Sequence, residues 1–119
     1  MATPNIVNVA TINAKNATGA VTTSRASAVD VAADKVAKIN TILICNIDGT
    51  NAADITIEVS VDNGSNYVKI ASTISVPADA TLSFLENPIY LDETDLLAVT
   101  ASANSDLTYF VSYEELDDA

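Results

Sequence analysis

The side chains able to do chemistry in this 119-residue chain are few and mostly acidic. Asp92, Glu93 and Asp95 stand close together, and paired carboxyls are what a glycosidase uses as acid and nucleophile or base. That chemistry requires a set separation of the two carboxyls, and no aromatic platform for a sugar accompanies these. A wet turn between strands accounts for them. The stretch Asn46, Asp48, Gly49, Thr50, Asn51 and Asp54 concentrates oxygen ligands of the kind calcium takes, but it lacks the spacing of an EF-hand loop. The same residue types are those that hairpin turns select for backbone reasons. With no histidine and one cysteine, serine and cysteine triads and zinc sites lack their parts. Cys45 sits in Ile42-Leu43-Ile44-Cys45 and reads as a small buried hydrophobe, since a reactive thiolate needs an electropositive, exposed setting. The residues predict no enzyme, no cofactor and no metal.

Elements of period two hold these residues. Ile55, Ile57, Val59 and Val61 alternate with Thr56, Glu58, Ser60 and Asp62, a strand with one buried and one wet face. Asn63-Gly64 follows, suited to a tight hairpin with positive φ at both positions. The return strand places Val68, Ile70, Ser72 and Ile74 on one face, with Lys69, Ala71 and Thr73 opposite. Pro77-Ala78-Asp79 predicts a turn and Thr81 to Leu85 a strand. Asn87-Pro88 interrupts it before Ile89-Tyr90-Leu91. Leu97, Val99, Ala101 and Ala103 alternate again, and Asn104-Ser105 closes a turn. The last strand sets Leu107, Tyr109, Val111 and Tyr113 against Thr108, Phe110 and Ser112, and the acidic run Glu114 to Asp118 reads as a solvated tail. Upstream, Lys38 to Ile47 is apolar on both sides near its centre, as in a central sandwich strand. Ala26 to Val36 fits a helical stripe or a strand, and the strand with a turn at Asp34-Lys35 is favoured. Residues 1–25 form an N-terminal arm or an extra strand, and residues 26–119 the sandwich. The expected fold is all-β: an antiparallel β-sandwich, jelly-roll or immunoglobulin-like, with an extended N-terminal arm.

Composition narrows the partners. Sixteen acidic side chains face five basic ones, a formal net charge of −11. Nucleic acid and anionic membranes both attract Lys/Arg clusters, so neither is an expected partner. The N-terminus shows no signal-peptide pattern and no apolar run is long enough to span a bilayer, which predicts folding in a reducing cytoplasm. Phe110 faces away from Tyr109 and Val111. If that face is open, Phe110 is an apolar anchor for a partner. Ile6, Val7, Val9 and Ile12, in the Asn/Thr/Ala-rich N-terminal segment, are the other expected partner contacts.

The order of phrases from residue 36 to 115 resembles that of small β-sandwich virion proteins of tailed bacteriophages, especially phages of marine cyanobacteria. The phrases are Asn46-x-Asp48-Gly49-Thr50, Ala53 to Val59, Tyr67 to Ala71, Ile74 to Ala78, Ile89 to Glu93, Val99 to Ala103 and Val111 to Glu115. Where such proteins often carry Gly-Asp after the acidic turn, this chain has Thr94-Asp95. The resemblance implies a non-enzymatic virion protein assembled in the host cytoplasm, foremost a decoration or cement protein on the outer surface of a phage head. Neck, tail or fibre components are the neighbouring readings, and a glycan- or cell-surface-binding module is the rival. The implied partners are other virion proteins, the major capsid protein first, and further copies of the chain; trimers are common among such proteins.

Overall fold

The computed structural model describes Val7 and residues 9–118, which form nine strands and no helix. They are β1 (Val9–Val21), β2 (Ala26–Asp30), β3 (Lys35–Asn46), β4 (Ala53–Ser60), β5 (Val68–Val76), β6 (Thr81–Ser83), β7 (Ile89–Leu91), β8 (Leu96–Ala101) and β9 (Leu107–Asp118). One sheet, the first, runs β1-β9-β3-β6, with β7 also paired to β3; the second runs β2-β8-β4-β5. Every pairing is antiparallel. Counting β6 and β7 as one strand broken at Asn87-Pro88, this is the jelly-roll order, in which most connections cross from one sheet to the other. The immunoglobulin-like alternative is therefore set aside.

The core lies between the sheets. Ile39, Ile42 and Ile44 from β3 and Ile55 and Ile57 from β4 are fully buried, with Leu97, Val99, Leu107 and Val111 from β8 and β9. Each large side chain so buried contributes about 1.5–3 kcal/mol of transfer free energy. Ile39 and Ile42 both point inward although three residues apart, because the β3–β9 register shifts between Ile39 and Thr41. A bulge there resets the alternation. Tyr109 and Tyr113 pack against the core from β9. Gly19, opposite Tyr109 in the β1–β9 ladder, makes that possible: a Cβ at Gly19 would lie 3.0 Å from the Tyr109 hydroxyl.

Several sequence expectations are corrected. The run Glu114 to Asp118 is no free tail but the end of β9, paired with β1 on one side and β3 on the other. Glu115 lies 3.1 Å from Lys15, and Lys35 pairs with both Glu115 and Asp117. The Asn63-Gly64 turn is not a two-residue hairpin. The ladder ends at Val59–Val68, and residues 60–67 form a longer loop with Asn63 at φ 58° and Gly64 at φ 86°. Asp62 organises it, accepting hydrogen bonds from the Asn66 amide N–H and side chain and from the Ser60 hydroxyl. Asn66 first, and then Ser60, hold the Asp62 carboxyl below the usual carboxylate range.

The faces of β4 and β5 also differ from their pattern. Glu58 and Ser60 point outward as expected, yet they are buried, because the loop 60–67 folds back over that face. Gly64 stands against Leu96, and the Arg25 guanidinium stacks on the Tyr67 ring at 4.0 Å. On β5 two register shifts break the alternation, with Thr73 at φ 46°. Ala71 and Ile74 stand opposite the inward Ile57 and Ile55, yet only Ala71 is buried; Ile74, like Val68 and Ile70, remains exposed. Val61 is exposed beyond the end of β4.

Candidate interaction surface

The acidic residues that suggested chemistry are occupied with the backbone. In the loop between β7 and β8, Asp92 accepts from the Glu93 N–H at 2.7 Å and Asp95 from the Asp92 N–H at 2.9 Å. Glu93 accepts from the Asp34 N–H at 2.9 Å, which ties this loop to the β2–β3 turn, where Asp34 has φ 64°. Glu93 and Asp95 are buried rather than wet, a correction to the sequence reading. Burial pushes the Asp95 carboxyl up, against the hydrogen bond from the Asp92 N–H, which lowers it. Each of these carboxyls accepts a backbone amide through one oxygen, and together they close a turn.

The oxygen-rich stretch after β3 works the same way. Asn46, buried, donates to the carbonyls of Asn51 and Val76 at 2.9 Å and accepts from the Asp48 N–H. Asp48 accepts from the Thr50 and Asn51 N–H groups, which hold its carboxyl below the usual range. Among the described residues no three Asp, Glu, Cys or His side chains converge as a metal ion would need.

What the fold leaves open is the outer face of the first sheet. Three successive rungs cross it: Ala20–Thr108–Cys45–Thr81, then Thr18–Phe110–Leu43–Ser83, then Asn16–Ser112–Thr41. None of these positions carries a charge, on a chain of net charge −11. Phe110 projects from the middle rung, 39% exposed. Beside it lies a depression of about 450 Å³ lined by Thr18, Leu43, Cys45, Thr81, Thr108 and Phe110, with Gly19 and Tyr109 at its margin. Small β-branched and hydroxyl side chains keep the surface flat around one aromatic anchor, which is how protein-docking patches are built.

The expected contact residues fall at different places. Phe110 is the centre of this face. Ile12, 59% exposed, lies on the same face, six residues from Thr18 along β1, or roughly 20 Å at strand rise. Val9 is half-buried at the start of β1, opposite Asp118, and Val7 is exposed just before it. Ile6 lies outside the described residues. The sequence does not mark Leu43, Cys45, Thr18 or Thr108 as partner contacts. Cys45 is half-exposed in the depression rather than buried, because no layer covers β3 on that side. The only signal available was the placement of Leu43 and Cys45 on the face opposite Ile42 and Ile44.

No family model and no curated protein matches this chain. Among solved structures it is similar to a protein from Bacillus endospore appendages, described as disulfide-linked pili, with a TM-score of 0.55 and 14% identity over 92% of this chain and 88% of that one. It also aligns with a pentameric capsid protein isolated from metagenomic phage sequences, with a TM-score of 0.42 and 13% identity over 95% of this chain and 64% of that one. The first likeness is one of fold. The second is too loose to establish even that.

Proposed function

We propose that this chain is a non-enzymatic structural subunit that docks onto a protein lattice through the outer face of its first sheet, and that the lattice is the outside of a phage head. The observation that carries the docking reading is the uncharged face around Phe110 on a molecule of net charge −11. A charged surface keeps such a protein soluble and away from anions, and the three uncharged rungs around Phe110 are where desolvation on binding costs least. The acidic surface favours the outside of a head, since packaged phosphates would repel it. The phage reading draws on the order of strand and turn phrases. The jelly-roll order is compatible with a capsid-associated subunit without being particular to one. The major capsid protein is the partner this reading names.

Cryo-electron microscopy of the particle from the source lysate tests it. Density over the capsid lattice, with Phe110 turned toward the shell, supports a decoration role. Density confined to the neck, tail or fibres moves the chain to those structures. Absence from every particle overturns the virion reading and brings forward the surface-binding module.

A further inference from the structure

Most edges of the two sheets carry devices that keep strands from pairing outward. β5 has two bulges, β2 has five residues and a bulge, and β6 and β7 have three residues each. β1 carries a single bulge, at its very start, and no other of these protections. It is a thirteen-residue edge whose one register shift lies near its start, between Val9 and Thr11, and among the described strands it pairs with β9 alone. Alternate residues of such a strand turn their N–H and C=O groups away from the sheet. Its one charged side chain, Lys15, is engaged by Glu115.

The charge distribution singles out the same wall. Residues 1–29 contain Lys15 and Arg25 and no Asp or Glu, a net +2. The remainder carries −13, three lysines against sixteen acids. β2 packs over β1, so the edges of both layers lie along this wall; β1 itself carries no acid, β2 only Asp30 at its end, and the neighbouring β9 carboxylates Glu115 and Asp117 are engaged by Lys15 and Thr11 of β1. A basic partner would be drawn to the acidic remainder instead. What suits an acid-free backbone edge on a molecule of charge −11 is another edge equally free of acid, and a second copy supplies one.

We propose that β1 pairs antiparallel with β1 of a second copy about a two-fold axis, joining two five-stranded sheets into one. Main-chain hydrogen bonds provide the attraction. Repulsion between the two acidic bodies opposes it, so the dimer tightens as salt rises. This contact uses the sheet edge, whereas docking uses the outer face. Phe110→Ser is therefore expected to weaken docking and leave the dimer in place.

Sedimentation velocity across a dilution series, combined with hydrogen exchange, tests the proposal on the full chain. The expected result is a dimer strengthened by salt, with β1 amides slowed as concentration rises and β5 amides unchanged. The double substitution Asn13→Asp/Asn16→Asp, at two exposed positions of β1, is expected to weaken the dimer roughly tenfold through like-charge repulsion. Asn87→Asp, exposed before β7, is the charge-matched control expected to leave it unchanged. A monomer at every concentration, protection on β5 or the outer face in place of β1, or an equal effect of the β1 and control substitutions would overturn it.

Discussion

Arg25 holds Glu58 through two guanidinium nitrogens, each 3.0 Å from a carboxylate oxygen, while its other face stacks on Tyr67. Arg25 comes from the turn between β1 and β2, and Glu58 from the middle of β4, where it is 4% exposed. The fork of Arg matches the two carboxylate oxygens, and its plane suits the ring. This clasp, with the loop 60–67, seals the outer side of the second sheet over Ala98, which is fully buried.

Breaking the clasp from one side leaves a buried carboxylate without its cation. Arg25→Ala is expected to lower the melting temperature, and Arg25→Lys to restore little, since an ammonium neither forks nor stacks as well. Adding Glu58→Gln to Arg25→Ala should recover part of the loss, because the unpaired charge is gone. A thermal double-mutant cycle checks this. Strict additivity of the two substitutions would refute the coupling.

Gly64 sits at φ 86°, and a Cβ there would meet Leu96 at 3.3 Å. Gly64→Ala is expected to cost about 1 kcal/mol or more, from a conformation that L-residues avoid and from crowding against Leu96. Urea denaturation measures it. Asn63→Gly, at φ 58° beside it, should be tolerated far better.

The lone thiol reports on the docking face. Cys45 should react with a small maleimide in the native protein, because it is half-exposed in the depression beside Phe110. On an assembled lattice it should be protected. Phe110→Ser should weaken docking by roughly 30-fold, the ~2 kcal/mol of a central aromatic anchor, while the far-ultraviolet dichroism stays unchanged. Equal labelling of free and assembled protein would place the interface elsewhere.

Acid acts on the fold in two directions. The carboxyls of Asp48, Asp62 and Asp117 are held below the usual range, Asp117 chiefly by Lys35 and then by the Thr11 hydroxyl. A carboxyl with a depressed folded pKa adds stability that is present above its unfolded pKa and lost as pH falls through the folded one. Melting temperature should therefore drop on acidification below about pH 4. Asp106 has the opposite sign, pushed up first by burial and then by the charge of Asp48. Asp106→Asn should raise the melting temperature at neutral pH, with the advantage closing as the pH approaches that range. A constant advantage at all pH values would show that repulsion from Asp48 is not its source.

Much of the architecture is legible along the chain. Alternation gives Ile55, Ile57 and Val59 a common inner face, and the turns at Asp79 and Ser105 fall where Asn, Asp, Ser and Pro cluster, that at Asp34 on a lone Asp, each with positive φ. The opposition of Phe110 to Tyr109 and Val111 is equally local. These properties depend on residue type and a spacing of two, which a strand carries wherever it is placed.

Coverage and pairing required the third dimension. Period two says which side of a strand a residue occupies but not whether another layer lies over that side. Leu43 and Cys45 therefore read as core yet face solvent, while Glu58 and Ser60 read as wet yet lie under a loop. Val68, Ile70 and Ile74 read as one apolar face of a strand and are exposed, because bulges on an edge strand shift register without changing composition. Glu114 to Asp118 read as a tail because strand partners 76 to 109 residues upstream leave no mark on local sequence. Jelly-roll order, the open face around Phe110 and the unblocked edge of β1 are all decided by which strands meet, and that is a property of the assembled sheets.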